Sequence, residues 1–381
     1  MSTSSFKIAH KLLTGAGAIE QLAAELTRLD VDNPLIVTDA ALVQSGTVAL
    51  ALEHLGDRAY EIFDRVLPDP EIAIVEDCMR AYREGGHDGL IGVGGGSAID
   101  IAKSVAAYAG YHGALADLFG VDQVPRKGPP LIAIPTTAGT GSEVTNVAIL
   151  SDKAAQLKKG IVSDYLLPDV ALISPQMTLT CPRGVTAASG VDALVHAIES
   201  YLSLNASPIT DALAIGAIKL IASALPKAYA NPANLQARDD MATASLMAGM
   251  AFGNAGVGAV HALAYPLGGR FNIAHGVSNA LLLPYVMHWN KLACVERMQD
   301  IAQAMGVNIA VSVNDAADQA VAAMTRLCAA VEIPSGLRSF GVPEDAIPAM
   351  ASEAAGIERL MRNNPRKLSA ADIEKIYRAA Y

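Results

Sequence analysis

The first 180 residues alternate short apolar runs with segments of helical periodicity, and this alternation restricts the chain to few folds. The runs are PLIVTD (34–39), AYEIFD (59–64), GLIGVGGG (89–96), PLIAIPTT (130–137) and VALISP (170–175). Three of them are almost continuously apolar, as strands covered on both faces are. The segments 40–55, 71–84 and 97–109 have helical spacing. Strands that alternate with helices predict a doubly wound α/β domain with a mostly parallel sheet.

After about residue 184 the pattern becomes purely helical. GVTAASGVDALVHAIESYL, SPITDALAIGAIKLIASALPKAYA and ARDDMATASLMAGMAF are rich in alanine and leucine with a 3.6-residue period. No convincing strand follows residue 180. A chain of 381 residues also exceeds the size at which one hydrophobic core usually stops growing. We therefore predict an α/β domain over residues 1–181 and an all-α domain over residues 182–381, with the boundary near Cys181-Pro182.

Composition excludes several classes of protein. The net charge is −10 and no basic stripe is present, which argues against binding to nucleic acid. The four cysteines are far apart and form no CxxC, so neither a disulfide framework nor a cysteine zinc site is indicated. The N-terminus lacks the apolar core of a signal peptide, and no apolar run approaches the ~20 residues that span a bilayer. We expect a cytoplasmic protein without a membrane partner.

The charged fraction is low. Only 17% of the residues are charged and 52% are hydrophobic, so the chain has more apolar surface than a monomer easily buries. We expect a homodimer or a larger homo-oligomer.

Two glycine-containing loops follow predicted strands, in GLIGVGGGSAIDIAK (89–103) and PTTAGTGSE (135–143). Glycines let a phosphate approach the backbone, and a helix N-terminus offers free N–H groups. The first loop is neither a GxGxxG fingerprint nor a P-loop, and alone it fits a plain tight turn equally well. Because α/β sheets bind ligands at the carboxyl ends of their strands, the two loops together predict a phosphate-bearing ligand.

Asp39 ends the run PLIVTD. A carboxylate at this place in a dinucleotide-binding domain accepts hydrogen bonds from the adenosine ribose and repels the additional phosphate of NADP. No arginine follows in the next residues, Ala40, Ala41 and Leu42, to neutralise such a phosphate. An ordinary helix N-cap is an equally good interpretation of Asp39.

One carboxylate and three histidines in the second half form a candidate metal site. Asp192 and His196 are spaced i, i+4 and share a helix face, and His261 and His275 follow. This donor set suits Fe²⁺ or Zn²⁺. We expect His261 near the end of a helix that the proline and glycines of 266–269 break before His275. The spacing arises often by chance, so histidines that merely form hydrogen bonds in the core are the alternative.

The motifs GGGSAIDIAK, TTAGTGSEVT, ASGVDALVHAIESY and HALAYPLGGRFNIAHGVSNALLLP resemble those of the iron-containing alcohol dehydrogenases in order and spacing. The resemblance covers nearly the whole chain. It implies a dehydroquinate synthase-like architecture, with an NAD-binding N-terminal domain, a helical C-terminal domain and an active-site cleft between them. It also implies bound Fe²⁺, sometimes replaced by Zn²⁺.

The resemblance assigns site residues to positions in this chain. The implied metal ligands are Asp192, His196, His261 and His275. The implied cofactor contacts are Asp39, Asp69, Gly95, Gly96, Ser97, Asp100, Thr136, Thr137, Thr140, Thr145, Val147, Lys158 and Met177. Asp69 replaces a more usual asparagine, and Lys158 is preferred to Lys159 by its distance from Pro168.

Tyr265 departs from the family pattern. Many members carry a histidine four residues after the third ligand, credited with proton transfer or substrate orientation, and this chain has Tyr265 there. A tyrosine can donate a hydrogen bond, but an unperturbed pKa near 10 makes it a poor proton shuttle at pH 7. We include Tyr265 among the implied catalytic residues.

The resemblance implies an NAD(H) oxidoreductase that interconverts small primary alcohols and aldehydes. The metal would act as a Lewis acid on the substrate oxygen, with hydride transfer to or from nicotinamide. Arg270 leaves open a 4-hydroxybutyrate-type dehydrogenase, in which it would bind a carboxylate, although an exposed arginine fits as well. A dehydroquinate synthase-like lyase would need further basic residues facing the metal. An inactive binding or scaffold protein would not need four intact ligands.

Overall fold

The computed structural model describes residues 3–153, 157–308 and 312–381. The chain divides into two compact units. The first comprises Lys7–Cys181, and the second comprises Pro182–Tyr381 together with N-terminal residues up to Phe6.

In the described part of the chain, the strands of the first unit are β1 Leu12–Thr14, β2 Pro34–Val37, β3 Glu61–Phe63, β4 Gly89–Gly94, β5 Gly120–Val121, β6 Leu131–Pro135, β7 Val147–Asp152, β8 Leu157–Val162 and β9 Val170–Ile173. Six of them form one sheet, all parallel, in the order β1-β9-β6-β4-β2-β3. A smaller sheet has the order β5-β8-β7, in which β7 and β8 are antiparallel. The helices are α1 Leu22–Arg28, α2 Ala40–Gln44, α3 Thr47–Leu52, α4 Ile72–Glu84 and α5 Gly96–Ala109. The predicted mostly parallel α/β fold is confirmed.

The sheet is covered on both faces, which explains the continuous apolar runs. Successive residues of one strand point to opposite faces. Leu35 and Val37 join one hydrophobic cluster with Leu90 and Leu131, whereas Ile36 joins another. The four central strands are therefore buried at every position and need residues without charged side chains throughout.

The sequence analysis did not predict four of the strands, and one predicted helix is in fact two short helices. The missed strands are the short β1 and β5 and the hairpin β7–β8, whose second strand, LKKGIV, contains two lysines and a glycine and so lacks a strand pattern. The segment 40–55 forms two short helices, because Gly46 takes a left-handed conformation with φ of 80° between α2 and α3.

The second unit is helical, and its described residues contain no strand, as predicted. Its helices are α6 Arg183–Leu202, α7 Pro208–Ala230, α8 Leu235–Ala255, α9 Ala259–Phe271, α10 His275–Asn290, α11 Val295–Ala304, α12 Val313–Ala330, α13 Ile347–Ala355, α14 Glu358–Met361 and α15 Ala370–Ala379. Among the described helices, α7 is apolar and long enough to cross a bilayer by length and composition alone, and it packs against both α6 and α8.

The expected helix break at 266–269 is wrong. Helix α9 begins at Ala259, so His261 lies in its first turn, and the helix continues through Pro266 to Phe271. It ends where Asn272 adopts a left-handed conformation with φ of 53°. The Asn272 N–H then donates to the Gly268 carbonyl, which satisfies a terminal acceptor. An asparagine C-cap, rather than the proline, separates the two histidines.

A buried lysine joins helix α5 to the second glycine loop. The side chain of Lys103 is fully buried. Its Nζ donates to Ser142 Oγ at 3.2 Å, Thr145 Oγ1 at 3.1 Å and the Val147 carbonyl at 3.0 Å. Burial lowers the pKa of Lys103 to about 8, against the opposing effect of nearby carboxylates. Three acceptors satisfy the ammonium donors, so the buried cation fixes the loop against the helix.

A partly buried carboxyl group, Asp100, and a buried one, Glu143, accompany Lys103. Asp100 accepts hydrogen bonds from the Ser142 hydroxyl and from the Ile149 N–H at 2.9 Å. Burial raises the pKa of Asp100, and Lys103 opposes this. Burial also raises the pKa of Glu143, which is 2% exposed, to about 7. This polar network holds the loop and hairpin β7–β8 in one arrangement.

Glu143→Gln tests the electrostatics of this network. The native pKa of about 7 lies above the ordinary value of 4.5, so native Glu143 keeps a proton that the unfolded chain has lost between these values. Wild type therefore loses this group's contribution to stability as pH rises through that range, at ~1.4 kcal/mol per pKa unit. The uncharged glutamine has no such loss. Urea unfolding at pH 5 to 7.5 should show the variant gaining stability relative to wild type as pH rises.

The matched control is Glu84→Gln, which alters an exposed glutamate at the end of α4. Its stability difference from wild type should be nearly independent of pH. A pH-independent difference for Glu143→Gln as well would contradict the raised pKa.

Candidate metal centre and nucleotide-binding loops

Helix α6 presents three buried polar side chains on one face. Asp192, His196 and Glu199 follow an i, i+4, i+7 pattern and are 3%, 5% and 3% exposed. Residues at these spacings lie above one another on a helix. A buried carboxylate needs compensating charge or hydrogen bonds, so partners are expected opposite this face.

Helices α9 and α10 supply the other two histidines. His261 lies in the first turn of α9, and His275 is the first residue of α10. Gly276 allows α10 to approach α6 closely, because a Cβ atom at this position would lie 2.6 Å from the Ala188 carbonyl oxygen. This close approach places His275 beside the face of α6 that carries Asp192.

The predicted ligands form one cluster. Asp192, His261 and His275 each offer a ligand atom, and these atoms lie within 4.8 Å of one another. His261 Nε2 is 3.8 Å from Asp192 Oδ1. His196 lies outside this set of three but stacks on His261, with ring centroids 4.7 Å apart, and on Phe252, at 4.2 Å. The structure thus brings all four residues together, three of them with donor atoms already converged.

Charge and hydrogen bonding compensate the buried Asp192. Burial by itself would raise the pKa of this carboxyl, but His196, His275 and His261 outweigh burial and lower it below its ordinary value. Asn279 contributes as well, since its Nδ2 donates to Asp192 Oδ1 at 2.6 Å. The cluster therefore favours an ionised carboxylate, the form that binds a cation.

The cluster fits a divalent transition metal ion. His261 Nε2 is buried and has no hydrogen-bond partner among the described residues, an arrangement that is costly unless another group occupies the site. His261 Nδ1 is already hydrogen-bonded to Glu199 Oε2 at 2.7 Å, leaving Nε2 to act as a ligand. Imidazole and carboxylate donors suit Fe²⁺ and Zn²⁺.

Tyr265 lies beside the cluster. Its ring centroid is 6.4 Å from that of His275, and its hydroxyl accepts a long hydrogen bond of 3.5 Å from Arg359 Nη2. Arg270, which was considered for substrate carboxylate binding, instead pairs with Glu353, with Nε 2.9 Å from Oε2. Both partners are about two-fifths exposed, as an ordinary surface ion pair would be.

The two glycine loops of the first unit pack against each other. Gly95 is the N-cap of α5 and directly follows β4. A Cβ atom on Gly96 would lie 2.9 Å from Thr140 Cγ2, and one on Gly95 would lie 3.5 Å from Thr137 Oγ1. The glycines thus bring Thr137 and Thr140 against the start of α5, where Ser97 lies. Thr136 anchors the second loop by donating its N–H to the Gly94 carbonyl at 3.0 Å.

Asp39 caps a helix, and an arginine lies next to it. The strand ends at Val37, and Asp39 Oδ1 accepts a hydrogen bond from the Leu42 N–H at 3.0 Å at the start of α2. Arg65 forms a backbone bridge with Asp39, and its guanidinium lies over the Phe63 ring at 4.6 Å. Arg65 follows β3 in the sequence, so it is not among Ala40, Ala41 and Leu42, the residues that directly follow Asp39.

The other implied cofactor residues divide into two groups. Lys158 Nζ lies 2.5 Å from Asp69 Oδ1, and Asp69 has a left-handed backbone with φ of 52°. Asparagine and aspartate tolerate this conformation better than most residues, which fits the aspartate-for-asparagine exchange. Asp100, Thr145 and the Val147 carbonyl take part in the Lys103 network. Met177 is fully buried in a hydrophobic cluster with residues of the central strands.

Sequence reasoning missed Glu199, Asn279 and Lys103. The signal for Glu199 was present, because it continues the helical stripe of Asp192 and His196. Asn279 lies one turn after His275, a spacing that pairs two residues on one helix face. Lys103 lay within the GGGSAIDIAK motif, in which only Gly95, Gly96, Ser97 and Asp100 were assigned as cofactor contacts.

Comparisons with known proteins agree with this arrangement. The family profile described as iron-containing alcohol dehydrogenase matches residues 9–175, and the Fe-containing alcohol dehydrogenase C-terminal profile matches residues 186–381. The chain is 47% identical over 373 residues to long-chain-alcohol dehydrogenase 1 of Geobacillus thermodenitrificans (strain NG80-2), covering 96% of this chain and 94% of that protein.

Solved structures match over the whole chain. A crystal structure of 1,3-propanediol oxidoreductase has a TM-score of 0.97 at 40% identity and covers 100% of both chains. Sulfoacetaldehyde reductase from Bifidobacterium kashiwanohense, solved in complex with NAD⁺, has a TM-score of 0.92 at 30% identity, covering 100% of this chain and 99% of that one. With both halves matched, the chain belongs to the iron-containing alcohol dehydrogenase family and is an oxidoreductase.

Proposed function

We propose that this enzyme interconverts small primary alcohols and aldehydes with NAD(H), using a divalent metal ion held by Asp192, His196, His261 and His275. The observation that carries the proposal is the buried Nε2 of His261, which lacks a hydrogen-bond partner in the described structure and lies 3.8 Å from Asp192 Oδ1. We propose Fe²⁺ as the ion, with Zn²⁺ as a possible substitute.

The helical unit prepares the site for substrate. When bound, the metal ion would supply a Lewis acid that stabilises the substrate oxygen as it develops negative charge. Asp192 contributes one negative charge, and histidines that bind a metal ion do so as neutral imidazoles, so the donor set would leave a divalent cation with net positive charge. Asp192, His196 and His261 are buried, and burial strengthens electrostatic interactions within the site. Tyr265 Oη could donate a hydrogen bond that orients a polar group of the substrate.

The first unit would hold the nucleotide. The N-terminus of α5 carries no side-chain cap among the described residues, so its N–H groups are suited to bind the pyrophosphate. Thr137 and Thr140 add hydroxyl donors beside it, and the Lys158–Asp69 pair lies on the neighbouring hairpin and turn. When bound, nicotinamide would supply the hydride acceptor or donor. The NAD⁺ complex of the sulfoacetaldehyde reductase supports this assignment.

The proposed substrates are uncharged. The ion pair between Arg270 and Glu353 removes the support for a dedicated carboxylate-binding arginine. The names of the relatives include a long-chain-alcohol dehydrogenase, a 1,3-propanediol oxidoreductase and a sulfoacetaldehyde reductase. Chain length and the terminal group of the substrate are therefore the variables that an activity panel must cover.

The assigned function predicts turnover of NADH with aldehydes by Fe²⁺- or Zn²⁺-loaded protein. The panel should run from acetaldehyde to dodecanal and include 3-hydroxypropanal and succinic semialdehyde. His261→Ala should lower kcat by about 10³-fold or more, because a Lewis acid is worth several kcal/mol, while NADH still binds. The exposed His112 provides the control, and His112→Ala should retain activity. Near wild-type turnover by His261→Ala in metal-depleted buffer would rule out the metal mechanism.

Asp39 predicts a preference for NADH. Its carboxylate can accept hydrogen bonds from the adenosine ribose, worth roughly 1.5–3 kcal/mol each, and would repel a 2′-phosphate. We expect kcat/KM to favour NADH over NADPH by on the order of 10²-fold, at ~1.4 kcal/mol per factor of ten. Asp39→Gly should reduce this preference, with some loss of NADH affinity.

Arg65 provides a second test of the preference between NADH and NADPH. Because it lies beside Asp39, it could pair with a 2′-phosphate once the carboxylate is removed. The double variant Asp39→Gly with Arg65→Ala should lose the gain in NADPH use. Equal use of both cofactors by the wild type would mean that Asp39 serves only as the cap of α2.

We also propose a cytoplasmic homodimer or larger homo-oligomer. Support comes from the low charged fraction and from exposed aliphatic side chains in the helical unit, such as Leu204, Ile209 and Leu292, which are 67%, 55% and 72% exposed. Analytical ultracentrifugation at micromolar concentration should show a species of at least twice the 39.5 kDa chain mass. A monomer under these conditions would contradict the proposal.

A further inference from the structure

Glu199 satisfies two donors at the start of helix α9. It projects from α6 and is 3% exposed. Its Oε1 accepts a hydrogen bond from the Val260 N–H at 2.6 Å, and its Oε2 lies 2.7 Å from His261 Nδ1. One carboxylate therefore holds both the backbone and the imidazole of consecutive residues.

These contacts determine which nitrogen of His261 carries the proton. A carboxylate only accepts hydrogen bonds, so its contact with Nδ1 requires a proton on that atom. In a neutral imidazole the other nitrogen, Nε2, then has a free lone pair. This is the atom that is buried without a hydrogen-bond partner in the described structure, close to Asp192.

The same carboxylate caps α9 from a neighbouring helix. Gly258, the N-cap residue, offers no side chain, and the Glu199 carboxylate accepts from the second N–H of this 13-residue helix. Asn364 Oδ1 accepts from the Ala259 N–H at 3.4 Å. The positive end of the helix dipole compensates the burial of the Glu199 charge. Glu199 therefore fixes the rotation of α9 about its axis, and with it the direction of the His261 ring.

We propose that Glu199 is a positioning residue for the metal site, which locks His261 in the tautomer whose Nε2 can bind a divalent cation. This inference rests on the proposed metal site. It adds a specific contribution from a residue outside the ligand set: without Glu199, His261 could place its proton on Nε2 and lose its function as a ligand.

Glu199→Gln separates this role from simple packing. A carboxylate offers acceptors to both donors, whereas a carboxamide of nearly the same shape offers one acceptor and one donor group. The variant must therefore lose the Val260 hydrogen bond or turn His261 to the Nε2–H tautomer. We expect the affinity of apoprotein for Zn²⁺ to fall by about 10- to 100-fold, measured by competition with a chromogenic chelator. The Co²⁺ absorption spectrum should change in parallel.

The tautomer itself is a second readout. ¹⁵N NMR of ring-labelled histidine in apoprotein distinguishes protonated from unprotonated ring nitrogens, and His261→Ala identifies the His261 signals. Wild type should carry the proton on Nδ1. Glu199→Asp keeps both acceptor oxygens on a shorter side chain, so it should recover part of the Zn²⁺ affinity that Glu199→Gln loses. This variant and the wild-type tautomer keep the test decisive should Glu199→Gln fail to fold.

The matched control is Glu25→Gln in the first unit. Glu25 is 4% exposed and binds Lys11 and Arg28, so the variant removes a buried carboxylate without touching α6 or α9. Its Zn²⁺ affinity should equal that of the wild type. Wild-type protein that binds no Zn²⁺ at micromolar concentration would refute the metal site itself. Tight wild-type binding combined with unchanged affinity in Glu199→Gln, or a wild-type His261 protonated on Nε2, would overturn the inference alone.

Discussion

Burying a carboxylate requires compensating charge, and the helical unit is organised around this requirement at Asp192. The residue is 3% exposed, and hydrocarbon surroundings alone would force its carboxyl group to keep its proton. Three imidazoles and the Asn279 amide converge on it from α6, α9 and α10. Glu199 then meets the same requirement two helix turns further along α6, through the N-terminus of α9. Two buried acidic groups thus fix how three helices meet.

The first unit solves a related problem with a buried cation. Lys103 lies beneath the glycine loops, and its three hydrogen bonds hold the segment that carries Thr145 and Val147 against α5. The loops need small residues so that backbone atoms can approach a ligand, and such segments have little side-chain packing to hold them. A buried polar network supplies the missing rigidity. In both units, buried hydrogen bonds therefore hold the proposed functional residues in place, the second glycine loop in the first unit and His261 in the helical unit.

Local sequence patterns predicted most of the fold. Short apolar runs predicted β2, β3, β4, β6 and β9, and those of the central strands are almost continuously apolar because both faces of the sheet are covered there. Hairpin β7–β8 was not predicted, because the sequence of β8, LKKGIV, has no strand periodicity. Pairing with β7 and β5 holds β8 in place. The end of α9 was predicted wrongly because a proline within a helix is an unreliable stop signal. The helix ends at Asn272, whose left-handed backbone conformation depends on its tertiary surroundings. The four clustered residues were found by their motifs, and Glu199 was not, although it lies on the same helix face.

The sequence by itself determined the α/β-then-α order, the loops at the strand ends and the residues proposed to bind a metal ion, since periodicity and side-chain chemistry are local properties. Tertiary structure alone decided which atoms meet. It brought Arg65 beside Asp39 from the segment that follows β3, placed Lys103 under the second glycine loop and used Glu199 to hold Nδ1 of His261. Such contacts join residues far apart in the chain, and their geometry follows from the packing of whole helices and strands. No pattern of residue types along the chain encodes that packing directly.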